Sequence, residues 1–241
     1  MEQNKIASKP KVQATRWVGS SVSEREGQEW DKKKEMDFTY TNIDKFIRTS
    51  LGENAHFSNA MYNGDYNLSL EEAQLKKYEF VVENLGIRPG SRVLDLGCGW
   101  GGWLKYLRDV VGAEGIGINL SDGQVRACRE NGLTAYLKDA RFVKPEDFGK
   151  FDAVTAFGSF EHVASVKDYL NGKQDEVYDD YFRHVANLLE EGGKFYMQSM
   201  VFGPNMIPFE NIDINCPERF RQLYFCVIVK TQPGFLDRLW P

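Results

Sequence analysis

The chain has 241 residues, of which 42% are hydrophobic and 27% charged, so it is long enough to bury the core of one large domain. Its formal net charge of -5 argues against a general nucleic-acid-binding surface. No apolar run approaches about 18 residues, and we expect no transmembrane segment. Residues 1–10 are polar and lack the apolar core of a secretory signal, so we expect a cytoplasmic protein.

The first third of the chain is predicted to hold a polar arm followed by helices. Residues 1–36 are polar and are interpreted as a loosely docked arm. Apolar residues recur at near-helical spacing over Met36–Leu51, which predicts a short amphipathic helix. A second helix is predicted over Ser69–Leu85, because Ser69 and Glu72 match a capping box. The turn residues 88–90 are expected to end it.

From residue 91 onward, short apolar strands alternate with helices. Strands are predicted at Arg92–Leu96, Glu114–Asn119, Thr134–Lys138, Phe151–Phe157 and Gly193–Ser199. Helices are predicted at about Gly101–Val111, around Gln124–Asn131 and over Val177–Leu189. This alternation predicts an α/β fold with a doubly wound, mainly parallel sheet. Leu223–Val229 is a further candidate strand.

A glycine-rich loop, within VLDLGCGWGG at residues 93–102, joins the first predicted strand to the helix after it. Glycines there let the backbone turn tightly and approach a ligand closely. Gly97, Gly99 and Gly102 also match the GxGxxG pattern of a dinucleotide site, so a nicotinamide oxidoreductase is an alternative. Asp95 favours a different ligand, because a carboxylate repels a pyrophosphate but attracts the cationic amino acid end of a sulfonium donor.

This loop resembles motif I of the class I S-adenosylmethionine-dependent methyltransferases. Other segments between about residues 54 and 205 are similar to the cyclopropane fatty acid synthase and mycolic acid methyltransferase group, namely FSNAMY at 57–62, LSLEEAQ at 68–74, NLS at 119–121 and GSFEH at 158–162. The resemblance implies a Rossmann-like methyltransferase fold with an N-terminal helical cap. We therefore divide the chain into an arm at 1–36, a cap segment at 37–90 and a donor-binding domain at 91–241.

The resemblance also implies a reaction and the residues that bind the donor. It implies S-adenosylmethionine as methyl donor and an unsaturated fatty acyl or other lipid acceptor, which would be methylated or cyclopropanated. The implied donor-binding residues are Phe57, Ser58, Asp95, Gly97, Cys98, Gly99, Asn119, Leu120, Gln124, Asp139, Ala140 and Phe157. Asn119 stands where many class I enzymes place an acid on the ribose, and its amide can still bind a hydroxyl. Asn119 and Asp139 could instead cap helices or turns.

Glu161 and His162 follow the fourth predicted strand and are the candidate catalytic pair. In the family that the chain resembles, this glutamate helps to hold a bicarbonate ion in the catalytic centre. An alkene that takes a methyl group becomes a carbocation, from which a base must remove a proton. For His162 a structural role at the start of a helix is the alternative. Aromatic faces that could stabilise the cation are those of Tyr62, Trp100, Trp103, Phe157 and Phe160.

Two candidate catalytic positions depart from the family pattern. Asn59 stands where the family has a bicarbonate-binding cysteine, and Gln198 stands where it has a histidine. Both amides can donate hydrogen bonds to an anion, but neither can carry its charge or its proton. Ring closure is therefore less supported than simple methyl transfer. A methyltransferase of small polar metabolites and a catalytically impaired donor-binding paralogue are the alternatives.

The C-terminal region and the partners are less constrained by the sequence. The family has a catalytic tyrosine after the fifth strand, and Tyr224 is the nearest candidate for it. Cys98, Cys128, Cys216 and Cys226 have no CxxC spacing, so we expect ordinary reduced thiols. We expect a small-molecule or lipid acceptor, no nucleic acid partner, and at most transient contact with a membrane surface.

Overall fold

A computed structural model describes residues 56–164, 168–169 and 171–200, and the architecture given below concerns these residues. Their centre is a parallel five-stranded sheet of order β3-β2-β1-β4-β5. The strands are β1 Arg92–Leu96, β2 Glu114–Asn119, β3 Thr134–Leu137, β4 Phe151–Phe157 and β5 Leu189–Gln198. Because β1 pairs with β2 on one side and with β4 on the other, the strand order reverses at β1. Parallel sheets bind ligands at the carboxyl ends of the strands beside such a point.

Helices connect these strands and precede the first of them. They are α1 Leu70–Leu85, α2 Gly102–Tyr106, α3 Asp122–Glu130, α4 Pro145–Phe148 and α5 Gln174–Leu188. A π-helical turn at Leu107–Val111 continues α2, and 3-10 turns lie at Ala140–Phe142 and Phe160–His162. The predicted arm, the predicted helix over Met36–Leu51 and the candidate strand Leu223–Val229 lie outside the described residues.

The capping box at the start of α1 is confirmed. Ser69 Oγ accepts from the Glu72 backbone N–H at 3.3 Å, and a Glu72 carboxylate oxygen accepts from the Ser69 N–H at 2.8 Å. The helix ends at Gly86, whose left-handed φ of 71° is one that glycine adopts at little cost. The predicted last residue, Leu85, is confirmed, whereas residues 88–90 do not cap the helix but form a separate turn closed by the Ser91 N–H on the Arg88 carbonyl.

Helices cover both faces of the sheet, which confirms the doubly wound α/β fold. On one face, Leu94, Ile118 and Val154 pack against Tyr181 and Val185 of α5. On the opposite face, residues of β1 and β4 pack against α1 and α2, among them Val93, Ala153, Tyr78, Val81 and Trp103. Side chains alternate along a strand, so Asp95 and Thr155 lie on the same face as Val93 and Ala153.

The described part of the predicted cap consists of the segment from residue 56 to residue 69 and α1. Tyr78 and Val81 of α1 are buried against the sheet, so this helix is a layer of the fold rather than a separate lid. The division of the chain at residue 90 stays a prediction. Among the described residues, we find no helix that combines the length and the apolar character needed to cross a bilayer.

Candidate active site

The glycine loop between β1 and α2 is held against β2 by its own backbone. The N–H groups of Gly97 and Cys98 both donate to the Ile118 carbonyl, at 2.9 and 3.1 Å. Gly97 has a φ of 89°, and a Cβ there would lie 2.6 Å from Ser159 Cβ, so the loop admits no side chain at this position. Gly99 has a φ of 53°, but a Cβ there would meet open space. The loop therefore leaves bare backbone beside an open volume, as close ligand approach requires.

A cavity of about 180 Å³ opens beside this loop at the carboxyl ends of β1 and β4. Thirteen of the predicted site residues line it: Phe57, Ser58, Asn59, Asp95, Gly97, Cys98, Gly99, Asn119, Gln124, Phe157, Glu161, His162 and Gln198. The other three, Leu120, Asp139 and Ala140, line a second cavity of about 100 Å³. Because Gly97, Asn119, Ser159 and His162 border both cavities, the two cavities are neighbours.

Asp95 is buried at the floor of the larger cavity in a short hydrogen-bonded chain. Trp103 Nε1 donates to Thr155 Oγ1 at 3.1 Å, and Thr155 Oγ1 donates to Asp95 Oδ1 at 2.9 Å. Burial raises the pKa of Asp95 from 3.8 to about 7, although the Thr155 hydrogen bond and the charge of Lys77 oppose the rise. The protein's own hydrogen bond and positive charge therefore do not fully stabilise the buried negative charge of Asp95, and a cationic ligand would be attracted to it.

Lys77, which the sequence reasoning missed, is the largest fully buried side chain among the described residues. Its ammonium donates to Ser58 Oγ at 2.7 Å, to the Asn59 carbonyl at 3.1 Å and to Gln74 Oε1 at 2.5 Å. Burial lowers its pKa from 10.5 to about 8, and Asp95 opposes this change. The lysine thus ties α1 to the segment that lines the cavity. Its burial could have been predicted from the sequence, because Lys77 lies four residues from both Ala73 and Val81 on the apolar stripe of α1.

His56 is a second cavity residue that the sequence reasoning missed. Its Nδ1 lies 2.7 Å from the Tyr78 hydroxyl, and both side chains are buried. Burial first, and then the charges of Lys77 and Lys105, lower the pKa of His56 to about 4. The imidazole is therefore neutral at physiological pH.

Asn119, Gln124 and Asp139, the polar side chains predicted near the ends of β2 and β3, also make hydrogen bonds within the protein. Asn119 Nδ2 donates to Gln124 Oε1 at 2.8 Å, while Asn119 Oδ1 accepts from the Ser121 N–H at 3.1 Å. Asp139 Oδ1 accepts from the Arg141 N–H at 2.9 Å and so caps the 3-10 turn that follows. The capping alternative for Asn119 and Asp139 is confirmed, and both residues border the site as well.

Three of the five aromatic residues proposed for the site line the larger cavity. Trp100, Trp103 and Phe157 do so, and the Trp103 and Phe157 rings meet edge to face at 5.6 Å between centroids. Phe160 does not line it. It packs on the opposite face of the sheet against Tyr181, because the 3-10 turn of residues 160–162 directs its ring there. Tyr62 also lies away from the cavity and stacks on Tyr66.

Glu161 and Gln198 lie on the same wall of the cavity and are both held by backbone groups. Glu161 Oε1 accepts from the Met200 N–H at 2.7 Å, and Gln198 Nε2 donates to the Asn59 carbonyl at 3.1 Å. Asn59 therefore contacts Gln198 through its main chain. The four predicted catalytic residues, which also include His162, line the same cavity.

The sequence pattern of one protein family spans most of the chain. The family described as mycolic acid cyclopropane synthetase matches residues 28–212. The chain belongs to this family. Membership favours the methyltransferase interpretation of the glycine motif over the dinucleotide interpretation.

Similar proteins agree with this assignment. The chain is 25% identical over 202 residues to cyclopropane mycolic acid synthase 2 of Mycobacterium leprae, a match that covers 81% of this chain and 64% of that protein. It is 32% identical over 136 residues to the cyclopropane-fatty-acyl-phospholipid synthase of Escherichia coli K12, covering 55% of this chain and 32% of that protein. The chain thus spans less than two thirds of the length of these family members.

Solved structures confirm the Rossmann-like fold. A mycolic acid cyclopropane synthase complexed with SAH and CTAB superimposes with a TM-score of 0.56 at 24% identity, over 66% of this chain and 54% of that one. The cyclopropane synthase MmaA2 from Mycobacterium tuberculosis gives a TM-score of 0.58 at 22% identity, over 70% and 57% of the two chains. At these identities the similarity concerns the fold.

Proposed function

We propose that the chain is an S-adenosylmethionine-dependent methyltransferase that acts on an unsaturated fatty acyl or other lipid acceptor. The observation that carries the proposal is the buried Asp95 carboxylate beside the bare backbone at Gly99, at the point where the strand order reverses. Such a site suits a ligand with a cationic end that must approach the main chain closely. Family membership supports the same donor, since a solved relative was crystallised with SAH.

The described residues offer suitable groups for each part of this donor. Asp95 would attract the ammonium of its amino acid end, and Gly99 leaves room beside the loop. Asp139 and Leu120 line the adjoining smaller cavity, where a nucleoside would lie. Bound there, S-adenosylmethionine supplies a sulfonium methyl group for transfer to a nucleophile. Trp103 and Phe157 would surround the reacting atoms with apolar surface, which keeps water away from them.

The proposed acceptor class follows from the apolar mouth of the site and from the family. Phe57 is 58% exposed, its ring lies 6.4 Å from that of Trp100, and Met200 is 55% exposed. Exposed apolar side chains beside a cavity are typical of surfaces that bind apolar ligands. The family members from M. leprae and E. coli are both named for synthesis on mycolic or phospholipid acyl chains. An acyl chain that enters here would meet Glu161 on the inner wall.

A cytoplasmic enzyme that touches a membrane surface only transiently is part of this proposal. The buried thiols of Cys98 and Cys128 are unpaired, which suits a reducing compartment. Cell fractionation would test the location. Recovery of the whole population with the periplasmic or secreted fraction would contradict it.

Titration calorimetry with S-adenosylmethionine tests donor binding, and we expect saturable binding that NADH does not reproduce. Incubation with methyl-labelled donor and mixed phospholipids, followed by extraction, tests the acceptor. Label in the lipid phase supports the proposal. Label transferred only to small polar compounds from a cell extract would favour the metabolite alternative. Donor binding without any transfer would favour an impaired paralogue.

A further inference from the structure

The inner wall of the cavity presents hydrogen-bond acceptors. From this we propose that Glu161 itself takes the proton released after methyl transfer, with no bicarbonate ion bound beside it. This inference rests on the proposed function, and it departs from the bicarbonate that the family resemblance implies. Whether the wall can bind bicarbonate depends on its polar groups, because a bound anion needs hydrogen-bond donors or positive charge around it.

The orientation of the Gln198 amide is fixed by its neighbour. Its Nε2 donates to the Asn59 carbonyl at 3.1 Å, and the reversed amide would place two carbonyl oxygens against each other. Gln198 Oε1 is consequently directed away from Asn59. It is buried and has no hydrogen-bond partner among the described residues. The side chain in the position of the family's histidine therefore offers an unused acceptor.

Glu161 offers a second unused acceptor on the same wall. Its Oε1 already accepts from the Met200 N–H at 2.7 Å, so this backbone donor is occupied by the carboxylate. Its Oε2 is buried and has no hydrogen-bond partner among the described residues. A bicarbonate placed here would give its single O–H to Glu161 Oε2. Its charged oxygens would then meet the negative end of the Gln198 amide dipole, which repels an anion.

Two nearby donors in the described part of the chain are already committed. Lys77 donates to oxygens of Ser58, Asn59 and Gln74, and Ser159 Oγ donates to the Leu96 carbonyl at 2.6 Å. His56 is held neutral by burial, and its Nδ1 contacts the Tyr78 hydroxyl. Its Nε2 is buried without a hydrogen-bond partner among the described residues, so this side chain offers an uncharged group to the cavity. His162 lines the same cavity and makes contacts of its own within the protein. Among the described residues, no lysine or arginine lines the larger cavity, and this set of groups does not fit bicarbonate.

The same two acceptors suit the proton-transfer chemistry that follows methyl transfer to an alkene. The π electrons of the acceptor form the new carbon–carbon bond, the sulfur leaves with the electrons of its methyl bond, and the neighbouring carbon becomes electron-deficient. A C–H proton then passes to Glu161 Oε2, and the C–H electron pair neutralises that carbon. Oxygen dipoles that face developing positive charge stabilise it, which gives Gln198 Oε1 a role as a positioning and electrostatic group.

The first test measures bicarbonate binding without reference to turnover. Carbon-13 NMR of labelled bicarbonate is recorded with the full chain, with and without S-adenosylhomocysteine. We expect the linewidth of the bicarbonate signal to equal that in a control sample with the Glu161→Gln variant. Saturable broadening that this substitution abolishes would show an ion held at Glu161 and would overturn the inference, even if no methyl acceptor has been found.

The second test measures turnover in buffer freed of carbon dioxide, with and without added bicarbonate. We expect equal rates in the two buffers, and an increase of about tenfold with bicarbonate would overturn the inference.

Glu161→Gln should lower turnover by about 100-fold or more while donor affinity stays unchanged, and bicarbonate should not restore it. The exposed Glu191→Gln is the matched control. If donor binding is absent, the proposed function fails, whereas the NMR result still decides the inference.

Discussion

Lys77 Nζ lies 2.7 Å from Ser58 Oγ, and this hydrogen bond joins the buried face of α1 to the segment that lines the candidate active site. The same ammonium also holds the Asn59 carbonyl, and the Asn59 carbonyl in turn accepts from Gln198 of β5. One buried charge therefore connects a helix and the last described strand through a segment without regular secondary structure. The shape of the cavity wall depends on this connection.

We expect Lys77→Met to lower both stability and donor affinity. The methionine fills a similar volume but removes the hydrogen bonds to Ser58 Oγ and Gln74 Oε1 and one of the two to the Asn59 carbonyl, at a cost of about 2 kcal/mol in the free energy of unfolding. Donor affinity should fall because the segment around Ser58 loses its anchor. Urea denaturation and calorimetry measure the two effects. Lys76→Met, at an exposed neighbouring position, should change neither. A Lys77→Met protein that binds the donor as wild type does would contradict the assignment.

The raised pKa of Asp95 predicts that donor affinity depends on pH. Below about pH 7 the carboxyl of the free protein is protonated, and the ammonium of the donor must displace that proton. We expect affinity to rise from pH 6 to pH 8 by up to about tenfold for each unit below the pKa. The dependence should disappear in Asp95→Asn, which keeps an acceptor for Thr155. Calorimetry at several pH values measures it, and a flat wild-type profile would count against Asp95 as the partner of the ammonium.

The stability of the free protein should change with pH in the opposite direction. The pKa of Asp95 is higher in the folded protein than its ordinary value of 3.8, so the folded state binds the extra proton. The stabilisation that this proton brings is present at low pH and is lost as pH rises through about 7. We expect the free energy of unfolding to fall by about 1 kcal/mol between pH 6.5 and pH 8. The difference between wild type and Asp95→Asn isolates this contribution, and equal profiles would refute it.

Thr155→Val removes the hydroxyl that links Trp103 to Asp95. The substitution keeps the shape of the side chain but leaves the indole N–H and a carboxylate oxygen unpaired, at a cost of about 2 kcal/mol. Because the Thr155 hydrogen bond lowers the pKa of Asp95, its loss should move the pH dependence of donor binding to higher pH. Thr134→Val, at an exposed strand position, is the control. An unchanged midpoint would show that the hydroxyl does not act on Asp95.

Replacing the loop glycines with alanine should have two different effects, a loss of stability at Gly97 and a loss of donor affinity at Gly99. Gly97→Ala places a Cβ 2.6 Å from Ser159 Cβ at a φ of 89°, and we expect a loss of about 3 kcal/mol in stability. Gly99→Ala meets open space, so it should cost only about 1 kcal/mol for its φ of 53°. Its methyl group would occupy the volume proposed for the donor, and donor affinity should drop sharply. A Gly99→Ala protein with unaltered donor affinity would place the donor elsewhere.

The strands are the part of the fold that local sequence predicts well. The bounds of β1, β2 and β4 agree with the prediction, because buried parallel strands are short apolar runs between turn residues. β5 was predicted to begin at Gly193 but begins at Leu189. Leu189 joins the strand by pairing with Phe151 across a register shift, which no local pattern reveals.

The sequence by itself determined the glycine loop, the carboxylate at its entrance and the family, because these depend on residue types at short spacing. Only the tertiary structure decided that Lys77 is buried, that Phe160 faces away from the cavity and that the Gln198 amide turns its oxygen from Asn59. Each of these depends on a neighbour that is distant along the chain. Gln198 and Asn59 are 139 residues apart, so the direction of that amide, and with it the preference of the wall for a proton over an anion, exists only after folding.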